Sequence, residues 1–264
     1  MNIRKHITSL VISLITISLY GQPGASHEIG FFVGAPSIQT DYGQRNDFMS
    51  NVGGNIGYGF GIIHYYQFSN YRTEWYQRTN FFREHFKIRS EVSYATAKLQ
   101  HHGKWLADDN TGKLILMHGS TKIINVGSQL EFYVKDVLDY SLRYYNVKFN
   151  PYAGIGLQVN FYKPEIYTDW GSGNWKVDDV LFNKWSPVLH PNDRVADDSK
   201  GITASVTFNI GTRYAISDYS DIFIDSRWHY FMTNYVDGLN AKVDENKYND
   251  WMLFLQIGYV YYLD

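Results

Sequence analysis

The sequence predicts an all-β fold: a single eight-stranded antiparallel up-and-down transmembrane β-barrel with long extracellular loops. Three observations predict it. Eight segments alternate apolar and polar residues at the two-residue period of a strand. The connections between them alternate long and short. The last segment places Trp251, Leu253, Leu255, Ile257, Tyr259, Tyr261 and Leu263 on one face. Aromatic rings toward both ends of an apolar face are the pattern of a strand that meets lipid.

In chain order, Ser26–Ala35 sets Ile29, Phe31 and Val33 against Glu28, Gly30, Phe32 and Gly34. Asn55–Phe68 sets Ile56, Tyr58, Phe60 and Ile62 against Gly57, Gly59 and Gly61, and glycines on one face predict a crowded interior. Glu84–Lys98 is the cleanest segment, with Phe86, Ile88, Val92 and Tyr94 opposite Lys87, Arg89 and Glu91. Thr121–Tyr133 puts Ile124, Val126, Leu130 and Phe132 opposite Asn125, Gln129 and Glu131. Pro151–Tyr162 opposes Ile155, Leu157, Val159 and Phe161 to Gly154, Gly156, Gln158 and Asn160. Gly201–Tyr214 opposes Ile202, Val206, Phe208 and Ile210 to Thr203, Thr207, Asn209 and Arg213. Asp221–Phe231 opposes Ile222, Ile224, Trp228 and Tyr230 to Phe223, Asp225, Arg227 and His229. The segment from Trp251 closes the series.

Each segment reaches the roughly 9–11 residues that cross a bilayer at a tilt. The connections 36–54, 99–120, 163–200 and 232–249 are long and polar, and 69–83, 135–150 and 215–220 are shorter. This alternation gathers the long loops at one end, as in outer-membrane barrels. Residues 1–21 read as a signal peptide: Arg4 and Lys5, an apolar run Ile7–Leu19, and a cut expected between Gly21 and Gln22. Residues 22–264 are the barrel.

Composition narrows the classes. Aromatics are 17% and prolines number 6, which favours strands over disorder. A net charge of -2 gives no footprint for nucleic acid. The absence of cysteine excludes disulfides, thiolate metal sites, a cysteine nucleophile and a cysteine-linked lipid anchor. No run is long enough for a transmembrane helix.

The apolar faces carry no charge through their middle and end in Tyr94, Phe161, Tyr214, Trp228, Tyr230, Tyr259 and Tyr261, so they are expected to meet lipid. The opposite faces carry Lys87, Arg89, Glu91, Glu131, Arg213, Asp225, Arg227 and His229, a near-balanced set expected to form an ion network in the lumen. Asp225 is the compensating neighbour expected for Arg227. An eight-stranded lumen is only wide enough for side chains, which predicts a plugged barrel. Trp105, Trp170, Trp175 and Trp185 sit on long loops and form a candidate partner surface, the alternative being that they pack the loops or meet lipopolysaccharide.

Other chemistry is weak. Gly57-Tyr-Gly-Phe-Gly61 lies inside a strand with no helix after it, so it is no dinucleotide fingerprint. His101, His102 and His118 are expected to be solvated, and 108–112 reads as a turn lacking the later Glu of a calcium loop. Ser226 and His229 fall on opposite faces and form no catalytic pair. No cofactor, metal or catalytic residue is expected.

The start His27–Gly34, the eight-segment meander and the aromatic last strand resemble the PorG-like outer-membrane barrels of Bacteroidota. Segments Asp41–Phe48, His85–Glu91 and Val236–Asn240 are similar to one branch of that family. The resemblance implies an outer-membrane component associated with type IX secretion and gliding, in contact with a periplasmic partner. The expectation is therefore a non-enzymatic envelope protein of a Gram-negative outer membrane. Its expected partners are lipid, lipopolysaccharide, the barrel-assembly machinery that reads the C-terminal strand, and a periplasmic secretion component. The alternatives are a small channel or ligand-binding barrel, a barrel enzyme acting on lipid, and a secreted soluble lipocalin-like barrel.

Overall fold

Alternation of this length leaves each strand with two open edges, and the chain resolves them by closing on itself. The structure is a computed structural model that describes residues 26–42, 53–68, 80–103, 106–107, 109–141, 148–241 and 249–263. The strands are β1 (Ser26–Gln39), β2 (Gly57–Gln67), β3 (Phe86–Gln100), β4 (Met117–Tyr133), β5 (Phe149–Thr168), β6 (Gly201–Ser217), β7 (Ser220–Phe231) and β8 (Trp251–Tyr262). Each pairs antiparallel with its sequence neighbours, and β8 pairs with β1 through rungs such as Glu28↔Tyr262 and Phe31↔Tyr259. The result is a closed barrel of eight strands. The start of β1, the end of β8 and the three shorter connections share one end; the four longer connections share the other. The signal-peptide segment and Trp105 lie outside the described residues.

The inward and outward faces fall where alternation puts them. Phe31, Ile62, Val92, Val126, Leu157, Phe208, Ile224 and Ile257 point out, and Leu157 reaches 68% exposure. The inward glycines make room for rings. A Cβ on Gly61 would lie 2.6 Å from the Phe32 ring, and one on Gly59 would lie 2.6 Å from the Phe254 ring.

Four strands run further toward the loop end than alternation predicts. β1 passes Pro36 to Gln39, β3 reaches Gln100, β4 begins at Met117 and β5 passes Pro164 to Thr168. Pro36 lies beyond Gly34↔Gly59, the last rung of the β1–β2 ladder, and Pro164 lies beyond Tyr162↔Gly201, the last rung between β5 and β6. Pro164 therefore has a partner strand on one side only, where a missing N–H is tolerated, while Pro36 sits in a gap of the β1–β2 ladder that resumes at the Ser37↔Ile56 bridge.

Among the described residues two short α-helices occupy the shorter connections: α1 (Phe81–His85), which also takes Glu84 and His85 from the expected strand, and α2 (Val137–Ser141). Five residues are too few to show a helical period in sequence. α1 is capped by Asn80, whose Oδ1 accepts from Phe82 N at 2.7 Å. It lies against the outer wall, with Phe82 stacked on Phe86 at 4.7 Å and Phe81 beside Phe132 at 6.2 Å.

At the other end the long loops fold down onto the barrel mouth. Tyr42, Leu114, Trp175, Val180, Leu181, Trp185, Val236 and Leu239 form one apolar cluster with the barrel residues Ile38, Leu99, Phe231 and Met252. The loops are tied across the mouth by the Ala196↔Leu239 bridge and by Asp197 N donating to Gly238 O at 2.8 Å. Gly238 has φ 87°, and a Cβ there would meet the Asp197 carbonyl oxygen at 2.8 Å, so the crossing requires glycine.

Candidate functional site

The inward positions collect ionisable groups in two tiers. Near the terminus end, Lys87 Nζ donates to Glu28 Oε1 at 2.5 Å and Arg213 donates to Glu28 Oε2 at 2.6 Å. Arg213 also reaches Asp221 at 3.5 Å, and Tyr262 OH donates to Asp221 at 2.6 Å. The Arg213 guanidinium lies 4.1 Å from the Tyr65 ring centre, a cation–π contact between two fully buried side chains. Two cations face two carboxylates in this tier, and all four are buried.

One step toward the loop end, Arg89 is the hub. Its Nη2 meets Glu91 at 2.8 Å and Gln256 Oε1 at 3.1 Å, and its Nη1 meets Asp225 at 3.3 Å and Glu131 at 3.5 Å. Arg227 pairs with Glu91. Asp225 also accepts from Tyr152 OH at 3.0 Å and Asn209 Nδ2 at 2.8 Å. Glu131 accepts from Gln129 Nε2 at 2.6 Å and Tyr133 OH at 2.7 Å. Two guanidinium groups face three carboxylates, so this tier is one negative charge in excess. Each charged group of the tier has a partner of opposite sign, while Glu91 Oε1, Asp225 Oδ1 and Arg227 Nε find no hydrogen-bond partner among the described residues.

The structure thus brings together Lys87, Arg89, Glu91, Glu131, Arg213, Asp225 and Arg227 as expected, and separates them into tiers. Asp225, expected as the nearby charge that balances Arg227, lies beside it but is not its main partner. Arg227 reaches across the lumen to Glu91, and its distance to Asp225 is 4.0 Å. His229 is inward and buried, stacked on Phe231 at 6.1 Å. Neither of its ring nitrogens has a hydrogen-bond partner among the described residues, so it belongs to the lumen by position and not by bonding. Glu28 and Asp221 join the network without having been expected there. Both have inward parity, but they sit at strand starts, where alternation is shortest.

Above the charged tiers the lumen turns neutral. Asn125 bonds Ser93 at 3.2 Å and Asn160 bonds Ser205 at 2.9 Å. Phe32, Ile63, Ala95, Ile123, Phe231 and Phe254 fill the remaining interior. On the outward face, polar groups pair with one another: His27 with His64 at 3.0 Å, and Ser90 with Ser128 at 2.9 Å.

The loop candidates divide. Trp175 and Trp185 are 8% and 5% exposed and pack the mouth, so they offer no partner surface; Trp170 is 38% exposed. His101, expected to be solvated, is instead stacked between Tyr42 at 4.6 Å and Trp185 at 5.1 Å, and burial beside His102 and Lys184 pushes it down to about 3. His118 lies elsewhere, on the outward face against Tyr167. Among the described residues no group of three His, Asp or Glu side chains is placed to hold a metal ion. Ser226 points out and His229 in, as expected for opposite parity.

The class defined by this geometry is a small closed antiparallel barrel with an ion-paired, side-chain-filled interior. No protein-family model matches the sequence, and no curated protein matches it. Solved structures similar to it include Neisserial surface protein A, at 13% identity over 90% of this chain and 98% of that one, with a TM-score of 0.45. A major outer membrane protein from Thermus thermophilus is 9% identical over 90% of this chain and 99% of that one, with a TM-score of 0.47. OprG from Pseudomonas aeruginosa is 11% identical over 90% of this chain and 96% of that one, with a TM-score of 0.41. Likeness at this level carries no function, and the architecture rests on the chain's own strand ladder.

Proposed function

We propose that this chain is a non-enzymatic outer-membrane β-barrel of a Gram-negative bacterium, a structural component of the envelope that neither conducts solutes nor catalyses a reaction. One observation carries the reading: an apolar belt faces outward on all eight strands, and at its level the charged groups are inside, buried and ion-paired. In water such a belt would be a continuous apolar patch far larger than soluble proteins expose. Against lipid it is the favourable surface, and a closed barrel leaves no unpaired backbone at membrane depth. A soluble barrel would need the inverse arrangement.

The filled lumen argues against a channel. Both tiers span the interior, and the rings of Phe32, Phe254 and Phe231 stand above them. In planar bilayers the purified protein should show no stepwise conductance, and discrete openings would overturn the sealed-lumen reading. Membrane insertion is tested separately by heat-modifiable gel migration after reconstitution; a chain that stays soluble without detergent would overturn the membrane reading. Within this proposal residues 1–21 direct export, and the last strand is read by the assembly machinery. A role in secretion or gliding, with a periplasmic partner, follows only from the family resemblance. Crosslinking and pull-down from native outer membrane test it: recovery of a periplasmic secretion component supports it, and recovery of lipid and assembly factors alone removes it.

A further inference from the structure

The outer wall changes character within one step at the loop end of β3, β4 and β5. Tyr94, Ile124 and Phe161 form its last apolar row, joined by the rungs Tyr94↔Ile124 and Ile124↔Phe161. The next outward row is Thr96, Lys122 and Lys163, and the one above is Lys98, Ser120 and Glu165. Lys122 and Lys163 are therefore directly opposite one another, an arrangement of like charges that is unfavourable on its own.

Glu165 holds the pair together. Its Oε1 accepts from Lys163 Nζ at 2.9 Å and Lys122 Nζ at 3.3 Å, while Oε2 accepts from Tyr167 OH at 3.0 Å and Ser120 Oγ at 3.1 Å. Four donors saturate this carboxylate. The two ammonium groups are fixed side by side, with their remaining N–H bonds unused by Glu165 and side-chain exposures of 48% and 45%. Lys98 stands diagonally beside Lys122, so this patch holds three cations and one anion. Asp198, the other carboxylate in the field of Lys163, is engaged by Lys176 at 2.6 Å.

We propose that Lys98, Lys122 and Lys163 form a site for the phosphate of an outer-leaflet glycolipid of the lipid A class. The proposal rests on the membrane reading above and adds its headgroup contact. Height supports it: Lys122 and Lys163 sit one row above the apolar belt and Lys98 two, where headgroup phosphate lies. Sidedness supports it too, because this is the long-loop end, which faces outward in such barrels. Charge completes it. A phosphate monoester carries up to two negative charges and several acceptors, which matches three ammonium groups that exceed their one carboxylate by two. The acyl chains would run down over Ile124 and Phe161.

The test uses purified, delipidated wild type in mild detergent and four probes: diphosphoryl lipid A, the same lipid stripped of phosphate, phosphatidylglycerol, and phosphatidylcholine. Retained lipid is read by mass spectrometry. Diphosphoryl lipid A should be retained at least about tenfold better than each of the others. The triple variant K98Q/K122Q/K163Q should lose that preference while keeping folded gel migration, and K122R/K163R should keep it. Equal retention of phosphate-free lipid A, or of phosphatidylglycerol, by the wild type would overturn the site, and this arm decides even where the glutamine variant fails to fold. Unchanged retention by a folded triple variant would also overturn it. A wild type that enters vesicles but shows no phosphate preference sinks this site alone. One that enters no vesicle of any composition sinks the membrane reading and the site with it.

Discussion

Arg89 is the residue whose loss the structure makes most costly, and Arg89→Met is the perturbation that tests the network. Its guanidinium meets Glu91, Asp225 and Glu131 at 2.8, 3.3 and 3.5 Å, with every partner buried. The side chain of methionine fills much of the aliphatic stem and removes the charge. Glu91 keeps Arg227, and Asp225 keeps Tyr152 and Asn209. Glu131 keeps only neutral donors. The tier would pass from one excess negative charge to two, in an interior where burial leaves little screening. Removing one partner of a buried ion pair costs about 3–5 kcal/mol, and that range applies here. Glu131→Gln alone should cost about 1–2 kcal/mol, because Arg89 retains two carboxylates. In the double variant the charge returns to its native value, so the loss should fall short of the sum by about 1.5–3 kcal/mol. The assay is urea unfolding in lipid vesicles, scored by the folded band on unheated gels and fitted linearly in denaturant. A double variant whose loss equals the sum of the single losses within about 0.5 kcal/mol would show that the charges do not act as a network.

Val126→Arg places a charge on the outward face between Val92 and Val159, and should cost about 2–4 kcal/mol in lipid; a smaller cost than at a loop position such as Lys200→Leu would contradict the outward belt. Gly61→Val drives a side chain into Phe32 and Ser93 and should cost about 1–3 kcal/mol, read by the same unfolding assay. Deleting residues 259–264 removes Tyr259, Val260, Tyr261 and Tyr262 from the β8–β1 closure and should abolish outer-membrane accumulation; normal levels of the truncated chain would contradict it. Asp237 and Asp250 are buried in the loop mouth, where burial and a neighbouring carboxyl (Asp41 for Asp237, Asp237 for Asp250) push both well above 3.8. The packed mouth therefore favours the protonated acids, and the stability they contribute is complete below about pH 4 and is lost as pH rises through the raised values. Amide exchange at Val236–Leu239 should accelerate with pH beyond the intrinsic rate, and Asp237→Asn should flatten that excess.

The barrel was legible because parity is a strong signal when it repeats. Lys87, Arg89 and Glu91 share a face by spacing alone, and closure of the sheet then leaves them a single interior to occupy. The departures have local physical causes. Prolines at 36 and 164 look like strand ends, and only the ladder shows that Pro164 borders a side with no partner strand and that Pro36 falls in a break before the Ser37↔Ile56 bridge. Lys163 and Glu165 break the apolar face, so the upper part of β5 reads as loop although its pairing continues to Thr168. α1 and α2 are shorter than two turns and leave no period to detect.

The loops were illegible for a different reason, and it bears on function. Trp185 looks like an exposed loop aromatic in sequence, yet its Nε1 donates to Asp41 at 3.3 Å, 144 positions away. Asp41 N in turn donates to Asp237 at 3.0 Å, 196 positions away. Thus Asp41 and Asp237, one from each of two segments that carry the branch resemblance, meet over the mouth. No local pattern encodes such contacts; they follow from closure, which sets the first and last long loops side by side. Because these residues are spent on closing the mouth, a macromolecular partner is left the outer wall, the exposed parts of the loops such as Trp170, and the shorter connections at the opposite end. Recognition at the outer wall would depend on residues like Lys122 and Lys163, whose neighbours are fixed by strand register and not by loop conformation.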